Sequence, residues 1–147
     1  MELVTQIRYS IRILLDLSMN QSKEVVQIRA ISNRQHISLK YLEKLIHPLR
    51  EAGLIKSKRG CNGGYYLALN SESISLARII RIFEKKRTKK ALIKIPEGYS
   101  RYQDTLITEA WEEAKQAFYN RLEKVTLAQL SIDTTRLFWQ DSDILIL

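Results

Sequence analysis

Apolar residues recur at three- and four-residue spacing through the first third of the chain, which is typical of helices that bury one face. Three such segments, residues 5–19, 27–34 and 39–52, are predicted to be helices. Ser38 is a favourable N-cap for the third, and Gly53 ends it because glycine enters the left-handed C′ conformation without strain. The predicted inward positions are Leu3, Ile7, Ile11, Leu14 and Leu15, then Ile28 and Ile31, then Leu42, Leu45, Ile46 and Leu49.

Two short segments, residues 54–58 and 65–69, flank a loop with three glycines and predict a β-hairpin. Ser75 then caps a fourth predicted helix, whose apolar stripe is Leu76, Ile79, Ile80 and Phe83. Helix, turn, helix and a glycine-rich hairpin is the element order of a winged helix-turn-helix. The predicted fold class is therefore mainly α, with a small β-hairpin wing and a long C-terminal helix.

The C-terminal third is predicted to hold one long helix over residues 102–128. For residues 143–147, packing on a partner and forming a strand both stay open. The predicted segments are the winged domain 1–84, a basic linker 85–101, the helical segment 102–130 and a tail 131–147 without an assigned role.

Charge is distributed unevenly along the 147 residues, which carry 24 basic and 16 acidic side chains. Residues 1–94 have a net charge of +12, whereas residues 95–147 have −4. A polycation favours a polyanionic partner, either nucleic acid or an acidic membrane surface. The basic run 85–90 either touches flanking phosphates or is a solvated linker. The asymmetry indicates two roles in one chain.

Composition excludes several classes of protein. Cys61 is the only cysteine in the sequence, so an intrachain disulfide scaffold and a four-thiolate zinc ribbon are excluded. No apolar run approaches the roughly 18 residues of a membrane span, and residues 1–5 lack a secretion signal, so we expect a cytoplasmic protein with no membrane partner. His36 and His47 lack nearby partner ligands, so no metal site is predicted. No catalytic constellation is found, so no enzyme is predicted.

The third helix presents polar side chains opposite its apolar stripe. Lys40, Tyr41 and Lys44 are placed to reach phosphates or guanine edges, and Ser38 at the helix N-terminus to meet a phosphate. Glu43 adds specificity if it accepts a hydrogen bond from cytosine N4. The alternative is that Glu43 pairs with Lys40 or Lys44 on a solvated face.

The predicted hairpin is basic and rich in glycine. Lys56, Lys58 and Arg59 lead into its loop, and Gly63-Gly64 let the backbone approach another surface closely. An arginine on a thin loop suits the narrow minor groove of DNA, where the negative potential is enhanced. The alternative is an ordinary surface hairpin with charged edges.

Three runs of residues resemble the Rrf2 family of bacterial transcriptional repressors: 37–45 (ISLKYLEKL), 48–57 (PLREAGLIKS) and 59–65 (RGCNGGY). The family includes regulators of iron–sulfur cluster assembly, cysteine metabolism and the nitric oxide response. The resemblance covers about residues 1–84 and 107–130. Further matching positions are Arg8-Tyr9, Leu14 to Leu17, Ile74 to Leu76, Trp111 and residues 125–130.

The resemblance implies a homodimer whose long helices cross and present two winged domains to a palindromic operator in double-stranded DNA. The candidate DNA-binding residues, from the pattern and the resemblance together, are Arg8, Tyr9, Ser38, Lys40, Tyr41, Glu43, Lys44, Lys56, Lys58 and Arg59. The candidate dimerisation residues are Ile107, Trp111, Ala114, Phe118, Leu122 and Val125. The alternative for this stripe is packing within its own protomer.

The chain departs from the family between the fourth helix and the long helix. Cluster-binding members have three cysteines there, whereas residues 85–101 contain no cysteine and no histidine. Protonated lysines cannot replace thiolate ligands. We therefore expect no iron–sulfur cluster and no other cofactor, and an input from an effector protein, a small molecule or a thiol oxidant.

Cys61 is the candidate for the oxidant. The neighbouring Lys58 and Arg59 favour its thiolate, and oxidation would add bulk and polarity where the wing meets DNA. The alternative is a small loop residue with no role.

Two functional hypotheses follow. The first is a sequence-specific transcriptional regulator, a repressor, with the third helix in the major groove and the wing in the minor groove. The second is a protein-interaction module that uses the winged fold without specific DNA binding. The two differ in whether the protein discriminates between specific and random DNA at physiological salt.

Overall fold

The computed structural model describes residues 5–20, 24–84 and 98–144. Over these ranges the winged part has the predicted order of three helices, a hairpin and a fourth helix, and two more helices follow. The elements are α1 (Thr5–Met19), α2 (Ile28–Gln35), α3 (Leu39–Glu51), β1 (Ile55–Lys58), β2 (Gly64–Leu67), α4 (Leu76–Glu84), α5 (Tyr99–Glu123) and α6 (Leu127–Ile144). The linker predicted at 85–101 lies outside the described residues as far as residue 97, and α5 includes its last three positions.

Helix α3 begins and ends at the predicted caps. The Ser38 hydroxyl accepts a hydrogen bond from the amide of Tyr41 at 3.4 Å. Gly53, with φ of 71°, reverses the chain so that the Leu54 amide donates to the Leu49 carbonyl at 3.0 Å. Leu49 and Leu54 are both fully buried, so the turn is covered by the apolar contact that accompanies this kind of helix end.

Helix α1 buries a wider surface than the predicted stripe. Ile11 and Leu15 are only half-buried, whereas Ile13 and Leu17 are completely enclosed. The physical reason is that α1 contacts α2, α3, α4, α6 and β2, so the core surrounds it on several sides. Leu3 lies outside the described residues.

The apolar stripes of α3 and α4 form the rest of the core. The four predicted α3 positions are buried, and of the four predicted α4 positions Leu76 alone is half-buried. The largest fully enclosed side chains are Ile13, Leu14, Leu17, Ile31, Leu42, Leu45, Leu49, Leu54, Ile55, Ile74, Ile79 and Leu127.

The hairpin is a two-stranded antiparallel sheet in which Ile55 pairs with Leu67 and Lys58 pairs with Gly64. A further residue extends the pairing, because Val26 exchanges two backbone hydrogen bonds of 2.9 Å with Tyr65. The base of the wing is therefore attached to the segment that leads into α2.

The prediction of one helix over residues 102–128 is wrong. Helix α5 ends at Glu123, and α6 begins at Leu127 after a short turn. The turn is held against the start of α4, because the Leu76 amide donates to the Val125 carbonyl at 2.9 Å and the Leu127 amide donates to the Ile74 carbonyl at 2.8 Å. These two hydrogen bonds flank an isolated antiparallel bridge between Ser75 and Thr126, and they take the place of hydrogen bonds that a continuous helix would make.

The tail is helical as far as the described residues extend. Thr126 caps α6 by accepting a hydrogen bond from the Gln129 amide at 3.2 Å. The helix continues to Ile144, so the strand alternative is wrong for residues 143 and 144, while 145–147 lie outside the described residues. Near its start, α6 packs against α1, where the Ser131 and Ser18 hydroxyls are 3.0 Å apart.

Candidate nucleic-acid interface

The first two turns of α3 present polar side chains to solvent. Ser38, Lys40, Glu43 and Lys44 are exposed and Tyr41 is half-buried, while the opposite face of the helix lies in the core. Among the described residues, Glu43 forms no ion pair with either lysine. The carboxylate and the two ammonium groups are therefore free to meet a partner.

The start of α1 is brought to the same end of α3. The rings of Tyr9 and Tyr41 meet edge to face, with centroids 5.9 Å apart and an interplanar angle of 82°. The Arg12 guanidinium lies over the Tyr9 ring at 5.3 Å, and Arg8 is exposed beside it. The structure thus joins the predicted Arg8-Tyr9 pair to the predicted residues of α3.

A buried carboxylate positions α2, and through it α3. Asp16 on α1, whose side chain is 3% exposed, accepts two hydrogen bonds from Arg34, at 2.9 and 2.6 Å. The Gln35 amide group donates a third at 2.9 Å, and Arg12 donates to the Gln35 backbone carbonyl at 2.5 Å. The hydrogen bond to Asp16 raises the pKa of Arg34. This network is not among the features predicted from the sequence, although an aspartate within the apolar run of residues 13–17 is a signal for a buried ion pair.

The wing carries its charges on the exposed side of the hairpin. Lys56, Lys58, Arg59 and Cys61 are all exposed. Lys58 forms an ion pair with Glu24, which precedes Val26 in the segment paired with β2, so its charge is partly balanced within the chain. Lys56 and Arg59 remain without a carboxylate partner among the described residues.

An open cleft of about 510 Å³ lies between the wing and the start of α2. Lys58 and Arg59 line its wing side, and Arg29 and Arg50 line the side formed by the helices. We call this the wing cleft. Arg29 and Arg50 are basic surface residues that the sequence analysis missed. Arg29 is in the first turn of α2 and Arg50 in the last turn of α3, and these positions at helix ends are the only sequence signal that could have found them.

The close approach predicted for the wing glycines is made to the protein itself. A side-chain carbon on Gly64 would lie 2.5 Å from the Val26 carbonyl oxygen, and one on Gly63 would lie 2.4 Å from the Lys58 carbonyl oxygen. Both distances are far below van der Waals contact. Glycine at position 63 therefore allows the loop to close, and glycine at position 64 allows the hairpin to pack against the backbone of Val26.

Gly64→Ala is expected to displace the hairpin, because the new methyl group collides with backbone that cannot move aside. We expect a loss of about 1–3 kcal/mol in the free energy of unfolding and a fall in DNA affinity. Urea denaturation and operator titration measure the two effects. Ser57→Ala, at an exposed position of β1, is the control for stability and should leave the free energy of unfolding unchanged; an unaltered Gly64→Ala protein would contradict the close approach.

The part of α5 before Tyr119 has an apolar face that no other described part of the protomer covers. Ile107 and Trp111 are 69% and 66% exposed, and Ala114 and Phe118 are also exposed. A cavity of about 380 Å³ opens beside them, between α5 and the end of α4 at Glu84. Two further predicted dimerisation residues lie elsewhere: Leu122 packs against the core of its own domain, and Val125 is in the turn after the helix.

The residues present do not fit an iron–sulfur cluster or a mononuclear iron site. The chain has one cysteine, and it is exposed in the wing, away from the segment that carries cluster ligands in the resembling family. Over residues 5–20, 24–84 and 98–144, no three His, Cys, Asp or Glu side chains converge on a common point. None of the described helices has the length and apolar character needed to span a membrane.

Comparison with known proteins identifies the family. Residues 3–133 match the Rrf2 family, described as an iron-dependent transcriptional regulator. Protein rrf2 of Nitratidesulfovibrio vulgaris is 39% identical over 135 residues, which are 92% of this chain and 90% of that protein.

Solved structures agree. T. potens IscR superposes with a TM-score of 0.71 at 30% identity, covering 91% of this chain and 88% of that one. CymR, the global cysteine regulator of B. subtilis, gives 0.69 at 30% identity, covering 89% and 96%. The predicted winged helix-turn-helix fold is confirmed. The matched proteins are regulators of transcription, not enzymes, and the chain belongs to the Rrf2 family of transcriptional regulators.

Proposed function

We propose that the protein is a homodimeric repressor that binds a palindromic operator, with α3 in the major groove and the wing in the minor groove. The observation that carries the proposal is the first two turns of α3. They expose Lys40, Glu43 and Lys44, while the opposite face of the helix is anchored in the core. A helix held in this way can enter a groove and present hydrogen-bonding groups to base edges.

The surfaces around α3 support the same orientation. Arg8 adds an exposed positive charge at the start of α1, and the wing cleft adds Arg29 and Arg50, at the start of α2 and the end of α3. Helix α2 begins at this cleft with Ile28. Free backbone amides at a helix N-terminus bind phosphate. We propose that the wing cleft holds a backbone phosphate while Arg59 reaches into the adjoining minor groove, where the potential is most negative.

The dimer is proposed to form through the apolar face of α5. Exposed tryptophan and isoleucine on one face of a long helix are typical of an interface core. A second copy of the same face, related by a twofold axis, covers both faces at once and presents two copies of α3 to two half-sites. The palindrome follows from this symmetry.

Selection of bound duplexes from a random pool, at two salt concentrations, tests the proposal. We expect a reproducible palindrome and a steep fall of affinity with salt, because phosphate contacts release counterions. A pool without sequence preference at physiological salt would overturn the proposal and favour the protein-interaction module. Transcription in vitro from a promoter that contains the selected site tests repression.

Glu43→Ala is expected to relax base choice at one position of each half-site, because the discrimination against the wrong base, about 1–3 kcal/mol, is lost. The affinity for the best site changes little. Lys44→Ala is the matched control on the same face: if it contacts phosphate, it weakens all sequences alike and lowers the salt slope by about 1. Repeating the selection with each variant measures both. An unaltered base profile for Glu43→Ala would mean that Glu43 only faces solvent.

A further inference from the structure

Among the described residues, helix α5 contacts the winged domain at one end only. It has 25 residues and is about 37 Å long. Every described side chain from Ser100 to Phe118 is exposed, and Tyr119 is the one buried side chain among those described on α5. The direction in which α5 leaves the domain is therefore decided within its last turn and a half.

The first point of attachment is Tyr119, which is 6% exposed. Its hydroxyl donates a hydrogen bond to the carboxylate of Glu84, the last residue of α4. The Arg81 guanidinium covers the face of its ring at 4.6 Å. Ring and hydroxyl are thus held by two different side chains of the last turn of α4.

The second point is Glu123, one turn further along α5. Its carboxylate accepts a hydrogen bond from the Ser75 hydroxyl at 2.5 Å and forms an ion pair with Arg81. These two contacts, the Ser75 hydrogen bond first, lower the pKa of Glu123, so the group is ionised at neutral pH. Ser75 also caps α4 by accepting from the Arg78 amide at 3.2 Å. Tyr119 and Glu123 therefore attach α5 to opposite ends of α4, and Arg81 links the two points.

Tyr119 is the attachment furthest from the turn that ends α5. The others, Leu122, Glu123 and the hydrogen bonds of residues 125–127, lie close together at the end of the helix and without Tyr119 would act as a pivot. The winged domain is about 25 Å across, so a rotation of about 10° at Tyr119 moves its far side by about 4 Å, more than the 3.4 Å rise of one base pair. We propose that the contacts of Tyr119 with Glu84 and Arg81 set the distance between the two winged domains of the dimer, and so the operator spacing that the protein accepts. This inference rests on the proposed homodimer. Tyr119 is a positioning residue and touches no DNA.

The single cysteine offers a direct measurement. Cys61 is exposed in the wing, so one nitroxide label on each copy reports the distance between the two wings. In the DNA-free wild-type dimer we expect a narrow distance distribution by pulsed electron paramagnetic resonance. Tyr119→Phe, which keeps the ring and removes the hydroxyl, should widen it to at least about twice that width. Glu84→Leu removes the same hydrogen bond from the other side and should act in the same way.

Tyr102→Phe is the matched control, since Tyr102 is 71% exposed on the part of α5 before Tyr119 and should leave the distribution unchanged. An unaltered width in Tyr119→Phe and Glu84→Leu, or a wild-type distribution as wide as theirs, overturns the inference. Absence of any distance between copies shows a monomer, which instead overturns the proposed dimer.

The consequence for DNA is measured with a pool of palindromes that share one half-site and differ in spacer length. The wild type should select one spacing, whereas Tyr119→Phe should accept neighbouring spacings within about threefold in affinity and keep the same half-site sequence. Thermal unfolding of the two proteins distinguishes a wider range of accepted spacings from general destabilisation. Tyr119→Phe must be fully folded at the assay temperature while it accepts the additional spacings. Retention of one sharp spacing by Tyr119→Phe contradicts the inference.

Discussion

Trp111→Glu is expected to convert the dimer into monomers and to lower operator affinity by about 100-fold or more. An aromatic anchor at the centre of an interface contributes about 2–4 kcal/mol, and a carboxylate in its place would be buried without a partner. Loss of the dimer also removes the gain from binding two linked half-sites. Sedimentation velocity over a range of concentrations and operator titration at fixed salt measure the two effects.

The monomer fold is expected to survive this change, since Trp111 is 66% exposed in its own protomer. Gln116→Glu is the matched control: the position is exposed on the same helix, about 140° around from Trp111, and adds the same charge. It should leave both the dimer and the affinity unaltered. A Trp111→Glu protein that stays dimeric would place the interface on another surface.

Asp16→Ala is expected to reduce the free energy of unfolding by about 2–3 kcal/mol. Removing one partner of a fully buried ion pair costs about 3–5 kcal/mol, and we expect a loss at or somewhat below the lower limit because the Arg34 side chain is 37% exposed and is partly rehydrated. The variant leaves Arg34 and Gln35 without their shared acceptor, so of this network only the hydrogen bonds from Arg12 to Gln35 still hold the end of α2 on α1. Urea denaturation at constant protein concentration measures the loss, which corresponds to about 5–10 °C in Tm.

Asp133→Ala provides the comparison. Asp133 pairs with Arg136 at 3.0 Å on the surface of α6, three residues apart, with the arginine 65% exposed. A pair of this kind contributes less than about 0.5 kcal/mol. Equal losses in the two variants would contradict a special role for Asp16. A double-mutant cycle with Arg34→Ala separates the pair's own coupling from the cost of an empty site.

Local chemistry accounts for what the sequence predicted well. The ends of α3 follow from Ser38 and Gly53, whose effects depend on the backbone within a few residues of each. The start of α4 at Ser75 follows from the same kind of cap. The wing was predicted from glycine spacing, but its attachment was not, because the partner of Tyr65 is Val26, nearly 40 residues earlier in the chain.

The candidate site divides in the same way. Lys40, Glu43 and Lys44 were found from helical periodicity, since the buried stripe of α3 decides which side chains face outward. Arg29 and Arg50 were missed because neither has a distinctive neighbour in sequence. They join the wing cleft only when the start of α2 and the end of α3 come together on the hairpin.

The C-terminal third shows where periodicity misleads. Apolar residues continue at helical spacing from Trp111 to Val125, so one helix was predicted across the turn. The signal for a break was Thr126 followed three residues later by Gln129, which is a helix-start pattern. The hydrogen bonds between this turn and residues 74–76, which stabilise the break, cannot be predicted from local sequence.

By itself the sequence determined the order of the winged elements, the basic face of α3 and the lack of thiolate ligands for a cluster, because each depends on residue type and short-range spacing. The tertiary structure decided how deeply Asp16 is buried, the pairing of the wing with Val26 and the direction of α5. These depend on contacts between residues far apart in the chain, such as Tyr119 with Glu84 and Glu123 with Ser75. Burial and direction are properties of packed surfaces, and no local spacing encodes them.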